Sequence, residues 1–435
     1  MSHGGTQLHA LPVRDLGAAP RFATAGAVIL ALIGAVAFVA ALLADPTRAY
    51  LAYLQNWLFF TALAQGAFML SVLVTIAKGM WSRPLRRFSL AFVAFMPLAF
   101  LLMIPILVGA EHIFPWIEHP VAGKEAYLNV PFMWTRQLLL MGGLVILDLA
   151  FAYWALRPDM GLWKSGAPAE SRALTERLTR NWRGQQAEEL LAHKRLSVLA
   201  PIVTMVWAIA FSVLSWDFIM SLEPYWFSTL LGPFVFMGGF LGGLAATGLL
   251  TLYMRERHEL ERWILPTTMH DLAKLNFGFV VFWAYLFFSQ YIVIWYGMLP
   301  LEQSYVVHRF DEPFNVVAKL VGVMVFVIPF FGLLGVAPKK NPRIYSFLVS
   351  ILLVGLWLER YLLVHPSIYH ELDYVPFGWQ EIGIGLGFLG VLLGAVFFFL
   401  SRVPLMQLWI PQSELELQGV ELERHQTADE AGVDY

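Results

Sequence analysis

The sequence predicts an all-α integral membrane protein of about ten transmembrane helices with both termini in the cytoplasm. Three observations predict it: the composition, the recurrence of apolar runs of spanning length, and a one-sided distribution of Lys and Arg. Of 435 residues, 58% are hydrophobic and 14% charged, with a mean hydropathy of +0.64, well outside soluble averages. The net charge of -2 is too small to point to nucleic acid or an acidic substrate. There are no cysteines, which removes disulfides, thiolate metal sites, cysteine-held iron–sulfur clusters and the usual attachment of haem c. Any redox centre the protein works with is expected in partners.

Runs of about 20 apolar residues cross about 30 Å of hydrocarbon as a helix. They are expected at 22–44, 51–77, 88–110, 131–156, 196–220, 225–253, 271–299, 313–337, 343–365 and 378–401. A polar tail, 1–21, precedes the first run, which lacks a clear small-residue cleavage site and is expected to be a retained helix. Lys and Arg fix the expected orientation. Of 29, 22 fall in the two tails and the even-numbered loops, four fall inside spans, and only Arg48, Lys124 and Arg309 fall on the opposite side. The arginine-rich side is therefore expected to be cytoplasmic, and the other side carries Glu111, Glu118, Glu125, Glu223, Glu302, Asp311, Glu312, Glu371 and Asp373.

The transmembrane region, 22–401, has one long cytoplasmic connection, 157–195. Within it, 170–194 alternates charges with Leu174, Leu178, Leu190 and Leu191 and is expected to form an amphipathic interfacial helix. The tail 402–435 is acidic at its end and is expected to be extended there. Gly238, Gly239, Gly242 and Gly243, and the set Gly383, Gly387, Gly390 and Gly394, have the spacing that lets helix backbones approach closely. Trp57, Trp116, Trp134, Trp226, Trp295 and Trp379 stand near span ends, as an interfacial aromatic belt would.

Of eleven histidines only His270 and His365 touch a span, each at its end. A bis-histidine haem b site is therefore not expected. Ionisable groups within apolar spans carry a functional hypothesis because they are costly there. Arg136, Asp217, Lys319, Glu359, Arg360, His365 and Glu381 are expected towards the outer leaflet, and Asp148, Asp271 and Lys274 towards the cytoplasm. Each group is a candidate half of a proton route, with Gln65, Thr204, Ser212, Tyr285, Ser289 and Gln290 between them. Asp148 is the strongest single candidate, with no charged neighbour along its helix. Asp271 and Lys274, one turn apart, suit a simple ion pair. Glu359 and Arg360 are adjacent and are expected to face apart and find partners on other helices.

The run Ser215-Trp216-Asp217-Phe218, continuing through Met220-Ser221-Leu222-Glu223-Pro224-Tyr225-Trp226, crosses a very short turn. With His270-Asp271-Leu272, Lys274-Leu275, Phe277-Gly278-Phe279, Trp283-Ala284-Tyr285 and Trp295-Tyr296, it resembles the polysulfide-reductase-type (NrfD-like) membrane subunits of alternative complex III, a bacterial quinol:electron-acceptor oxidoreductase. The length and short tails are most similar to the smaller F subunit. The resemblance implies two four-helix bundles, helices 2–5 and 6–9, with helices 1 and 10 peripheral. It implies a bacterial cytoplasmic membrane and, as partners, a larger homologous subunit, iron–sulfur and multihaem cytochrome c subunits, small membrane subunits and a terminal oxidase. Haem c and the iron–sulfur clusters would reside in those partners, and lipid, quinone or menaquinone would be the ligands of this chain. Asp217, Glu223, Asp271 and Lys274 stand inside the matching motifs.

The expected function is that of a membrane subunit without its own redox centre, scaffolding the complex and conducting protons through two half-channels. One alternative is direct quinol oxidation, which needs an apolar groove beside a carboxylate or imidazole; His112, Asp217, Arg360 and His365 are its candidates. The other is a secondary transporter, suggested by Pro97, Pro105 and Pro329 inside spans.

Overall fold

A computed structural model describes residues 21–164 and 166–409; most of both predicted tails, 1–20 and 410–435, lies outside the described residues. Ten helices are long and apolar enough to cross a membrane, and the described residues contain no strand. In chain order they are α1 Ala23–Ala44, α2 Pro46–Ile76, α3 Arg86–Val108, α4 Val130–Trp163, α5 Gln185–Leu222, α6 Leu231–Arg257, α7 Pro266–Gly297, α8 Asn315–Gly332, α9 Pro342–Tyr369 and α10 Trp379–Leu400. The protein is thus an α-helical multi-pass membrane protein. Several helices exceed their apolar runs because polar turns continue them. Three of them start on an Asn or Asp cap with a proline in the first turn, where its missing N–H costs nothing. Asp45 accepts from Arg48 N, Asn129 from Phe132 N, and Asn341 from Arg343 N.

Helix α2 is the most buried of the ten and α6 the next. Their seam is built on glycine. A Cβ on Gly66 would lie 2.2 Å from Gly239 O, and one on Gly243 would lie 2.0 Å from Ala67 N. The second glycine set joins α10 to α1, where a Cβ on Gly34 would lie 2.2 Å from Gly387 Cα. Around these seams α2 also touches α3, α5, α9 and α10, α5 touches α4 and α6, α6 touches α7 and α9, and α8 touches α7 and α9.

Helix α3 is broken near Pro97 and Pro105 into short helical pieces. Met103 N bonds to Phe100 O and Ile106 N to Met103 O, which leaves Ala99 O and Leu102 O without their regular helical donors. Trp57 Nε1 takes the first at 2.8 Å and Tyr53 Oη the second at 2.8 Å. Lipid could not have supplied those donors. This corrects the aromatic belt: Trp57, Trp116 and Trp226 are buried between helices, whereas Trp295 and Trp379 are exposed. Helix α8 is distorted by a π turn, Gly322–Val327, just before Pro329.

The stretch 170–194 also differs from its reading as one amphipathic helix. A ten-residue helix, Ala169–Leu178, is followed by a turn in which Asn181 and Gly184 take positive φ, and α5 begins at Gln185. Arg157 holds the turn: its Nε donates to Glu188 at 2.5 Å and its Nη1 to Leu178 O at 2.7 Å. Beyond α10 the first residues of the predicted tail are packed. Asp159 Oδ1 accepts from Leu408 N at 2.8 Å and Trp409 N at 2.9 Å, and Arg87 closes the same carboxylate as an ion pair.

Gly243→Leu puts a side chain into backbone and should cost more than the ~1–3 kcal/mol of ordinary overpacking. Gly143→Leu, with nothing within 4 Å of its Cβ, should be tolerated. Size-exclusion chromatography in mild detergent should show a monodisperse peak for the second variant and its loss for the first.

Candidate functional site

Six acids are buried among the described residues: Asp148, Asp159, Glu188, Asp217, Glu359 and Glu381. Five have an arginine. Arg87 pairs with Asp159, Arg157 with Glu188 at 2.5 Å, Arg136 with Asp217 at 2.6 Å, Arg360 with Glu359 at 3.0 Å and Arg48 with Glu381 at 2.9 Å. Asp148, in the middle of α4, has none. Its one partner is Gln65 of α2, whose Nε2 donates to Oδ1 at 3.2 Å. Asp148 Oδ2 and Gln65 Oε1 have no hydrogen-bond partner. One turn further along both helices Phe68 and Phe151 meet edge to face, centroids 5.6 Å apart. Beyond them a cavity of about 40 Å3 is lined by Ser71, Thr75, Arg86, Arg87 and Gln407, enough for a few waters.

Asp217 is the opposite case. Arg136 Nε meets Oδ2 at 2.7 Å and Nη2 meets Oδ1 at 2.6 Å, while Tyr127 Oη and Gln137 Nε2 donate at 3.0 and 2.6 Å. The fork geometry and four donors hold the carboxylate in place. Glu359 and Arg360 correct an expectation, because they bond to each other. Both long side chains bend from α9 into one gap, where Arg360 Nη2 also reaches Val235 O at 2.9 Å and Trp283 Nε1 reaches Glu359 at 3.4 Å. Asp271 and Lys274 form the expected i,i+3 pair at 2.7 Å, on a partly exposed surface.

The four residues proposed for quinol have separate surroundings. His112 stacks on Tyr50, Asp217 is tied to α4, and Arg360 is tied to Glu359 and α6. His365 is fully buried against the ring of Tyr361, centroids 4.1 Å apart, with neither nitrogen bonded. No hydrogen bond, ion pair or ring contact links any two of the four.

A larger cavity, about 420 Å3, lies instead among α6, α7, α8, α9 and the loop helix Pro300–Phe310. Phe234, Trp283, Phe287 and Phe326 form apolar walls, and Tyr305, Arg309, Lys319 and Glu359 supply polar groups. Tyr305 Oη and Arg309 Nε are buried without partners. Lys319, one of the predicted residues, belongs to this cavity; Tyr305 and Arg309 were not singled out as site residues. They lie outside the apolar spans, and their i,i+4 spacing on an amphipathic helix was the available signal.

Arg309 also ties together the loops at this end of the helices. Its Nη1 meets Glu223 Oε1 at 2.8 Å, its Nη2 meets Leu363 O at 2.9 Å and Ser367 Oγ at 2.6 Å, and its guanidinium lies 3.3 Å from the Tyr305 ring centroid. Tyr305 in turn stacks on Trp226, 3.5 Å between centroids. Burial raises the Glu223 carboxyl, but His308, the Arg309 guanidinium and the Ser367 hydroxyl outweigh it and hold the acid at about 2, against an ordinary 4.5.

No protein-family model matches the chain, and no curated protein matches it.

Since the folded value of Glu223 lies below the unfolded one, its stabilisation is complete above 4.5 and is lost as pH falls towards about 2. A shift of that size is worth ~3 kcal/mol. The thermal stability of Glu223→Gln should therefore be lower than that of the parent at neutral pH, and its acid limb between 4.5 and about 2 should be flatter.

Proposed function

We propose that the chain is a membrane subunit of a quinol:electron-acceptor oxidoreductase complex of the alternative complex III type, most like its F subunit. In this reading it resides in a bacterial cytoplasmic membrane with both termini inside, anchors partners that hold haem c and iron–sulfur clusters, and carries protons across part of the bilayer. The motifs at 215–226 and 270–296 support the assignment. The contacts of α2 with α3 and α5, and of α6 with α7 and α9, support an arrangement of two four-helix bundles, α2–α5 and α6–α9.

Asp148 is the observation that carries proton handling. An unpaired carboxylate charge in a dry interior is costly, and every other buried acid in the described residues has an arginine to offset that cost. Asp148 has an amide and a free oxygen instead, which suits a group that takes up and releases a proton. Ser71, Thr75 and Gln407 around the small cavity are the water-compatible groups on the arginine-rich side, and the Phe68–Phe151 contact separates them from Asp148. Asp217, Glu359 and Glu381 have their charges engaged by arginine and serve as fixed ion pairs.

The test compares two conservative variants in the purified intact complex, reconstituted in vesicles with quinol and cytochrome c. Asp148→Asn should retain assembly and thermal stability and lose most proton movement per electron. Asp217→Asn leaves Arg136 without its counter-charge and should destabilise by ~3–5 kcal/mol. Unchanged proton movement in Asp148→Asn would remove the proton-handling role.

One observation favours quinone binding as a second reading, at a place other than the four residues first considered. The α6–α9 cavity combines flat aromatic walls with the unpartnered Tyr305 hydroxyl and the Glu359 carboxylate, groups suited to a planar head with two oxygens. A photoreactive quinone should label the wall residues around Trp283 and Phe287, and Tyr305→Phe should reduce labelling severalfold. Labelling confined to the Asp217 region would contradict this.

A further inference from the structure

A second apolar groove, about 610 Å3, opens on the membrane-facing side between α2, α3, α6, α9 and α10. Its walls are Phe, Leu, Ile and Val side chains, and its one indole N–H, on Trp357, is already bonded to Asn56 Oδ1 at 2.8 Å. Apart from Tyr253 at one end, no side chain of the groove offers a polar ligand a bond. Towards the arginine-rich loops it meets a cleft of about 1080 Å3. Leu249 and Tyr253 line both spaces, and Tyr253, set edge-on to Phe397 with centroids 6.0 Å apart, stands at the junction.

The cleft has the opposite chemistry. Arg255, Lys340 and Arg343 line it together with Glu256 and Glu261. Among the described residues none of the three cations forms an ion pair, and Arg255 Nε is buried without a hydrogen-bond partner. Three cations against two acids leave one positive charge in excess at the end of a hydrocarbon-lined groove.

We propose that this continuous surface is a binding site for an anionic glycerophospholipid, of the phosphatidylglycerol class, from the leaflet beside the arginine-rich loops. The acyl chains occupy the groove, the phosphate sits among Arg255, Lys340 and Arg343, and the hydroxylated head faces Glu256 and Glu261. Charge complementarity selects this occupant, since a basic pocket between transmembrane helices at the membrane boundary is the recognised setting for an anionic headgroup. A peptide helix would leave the cations unpaired. The lipid would hold α10 to α6 and α9, with which it has few direct contacts of its own.

The test uses the full chain in its native assembly, purified in mild detergent and stripped of lipid. Phosphatidylglycerol, phosphatidylethanolamine and phosphatidylcholine are added back separately, and thermal unfolding and retained lipid phosphorus are measured. Phosphatidylglycerol should raise the unfolding temperature and be retained, and the other two should not. The double variant Lys340→Gln/Arg343→Gln changes only exposed side chains and should weaken phosphatidylglycerol binding about thirtyfold. Leu386→Trp fills the groove and should abolish retention with every cation in place. Equal effects of the three lipids, or undiminished binding by the double variant, would overturn the proposal.

Discussion

Hydrocarbon offers no hydrogen bonds, and that constraint governs this structure more than any single contact. A polar group placed between the helices is costly unless it finds its partner within the chain. Five of the six acids buried among the described residues do so with an arginine. The same rule operates on the backbone at the break in α3, where Trp57 and Tyr53 reach across from α2 to two carbonyls that the break leaves outside the helical ladder. A membrane helix can be bent if its neighbour repairs the bend. Here the neighbour is the most buried helix of the protein, so the break and the core specify one another.

Close approach comes from a different device. Helices α2 and α6 touch through Gly66, Gly239 and Gly243, and α1 and α10 through Gly34 and Gly387. Between lipids and helices there is little hydrophobic gain to win, and dispersion across tightly approached backbones supplies the attraction. These seams hold the positions from which the charged side chains pair. The Arg48–Glu381 pair, for example, joins α2 to α10, one helix from each seam.

The sequence made the number and rough limits of the helices legible because spanning length is a strong, local signal. Glycine spacing likewise identified the seams. Partners were harder to read. Glu359 and Arg360 were expected to point apart, since neighbours on a helix do, but flexible arms of several bonds bend into one gap. Tryptophans near span ends were expected at the membrane surface, yet Trp57 and Trp226 are drawn inward, one to a freed carbonyl and one onto the Tyr305 ring. Asp148 was legible as an isolated charge along its own helix. Its isolation from every other helix was not, because that depends on what α2 places opposite it: Gln65 in place of a cation. The α6–α9 cavity escaped because its polar residues come from a short loop helix as well as from spans.

Among the described residues there are therefore two kinds of buried acid, those committed to arginine and one that is not. The first kind builds the framework, and the second is the feature on which a proton-carrying role rests. The most direct measurement is infrared difference spectroscopy of the intact complex, poised with quinol and then turned over with its electron acceptor. The account predicts a carboxylic-acid carbonyl band that changes during turnover and is missing in Asp148→Asn but present in Glu381→Gln. A band that persists unchanged in Asp148→Asn, or no carboxyl signal in the parent complex, would contradict it.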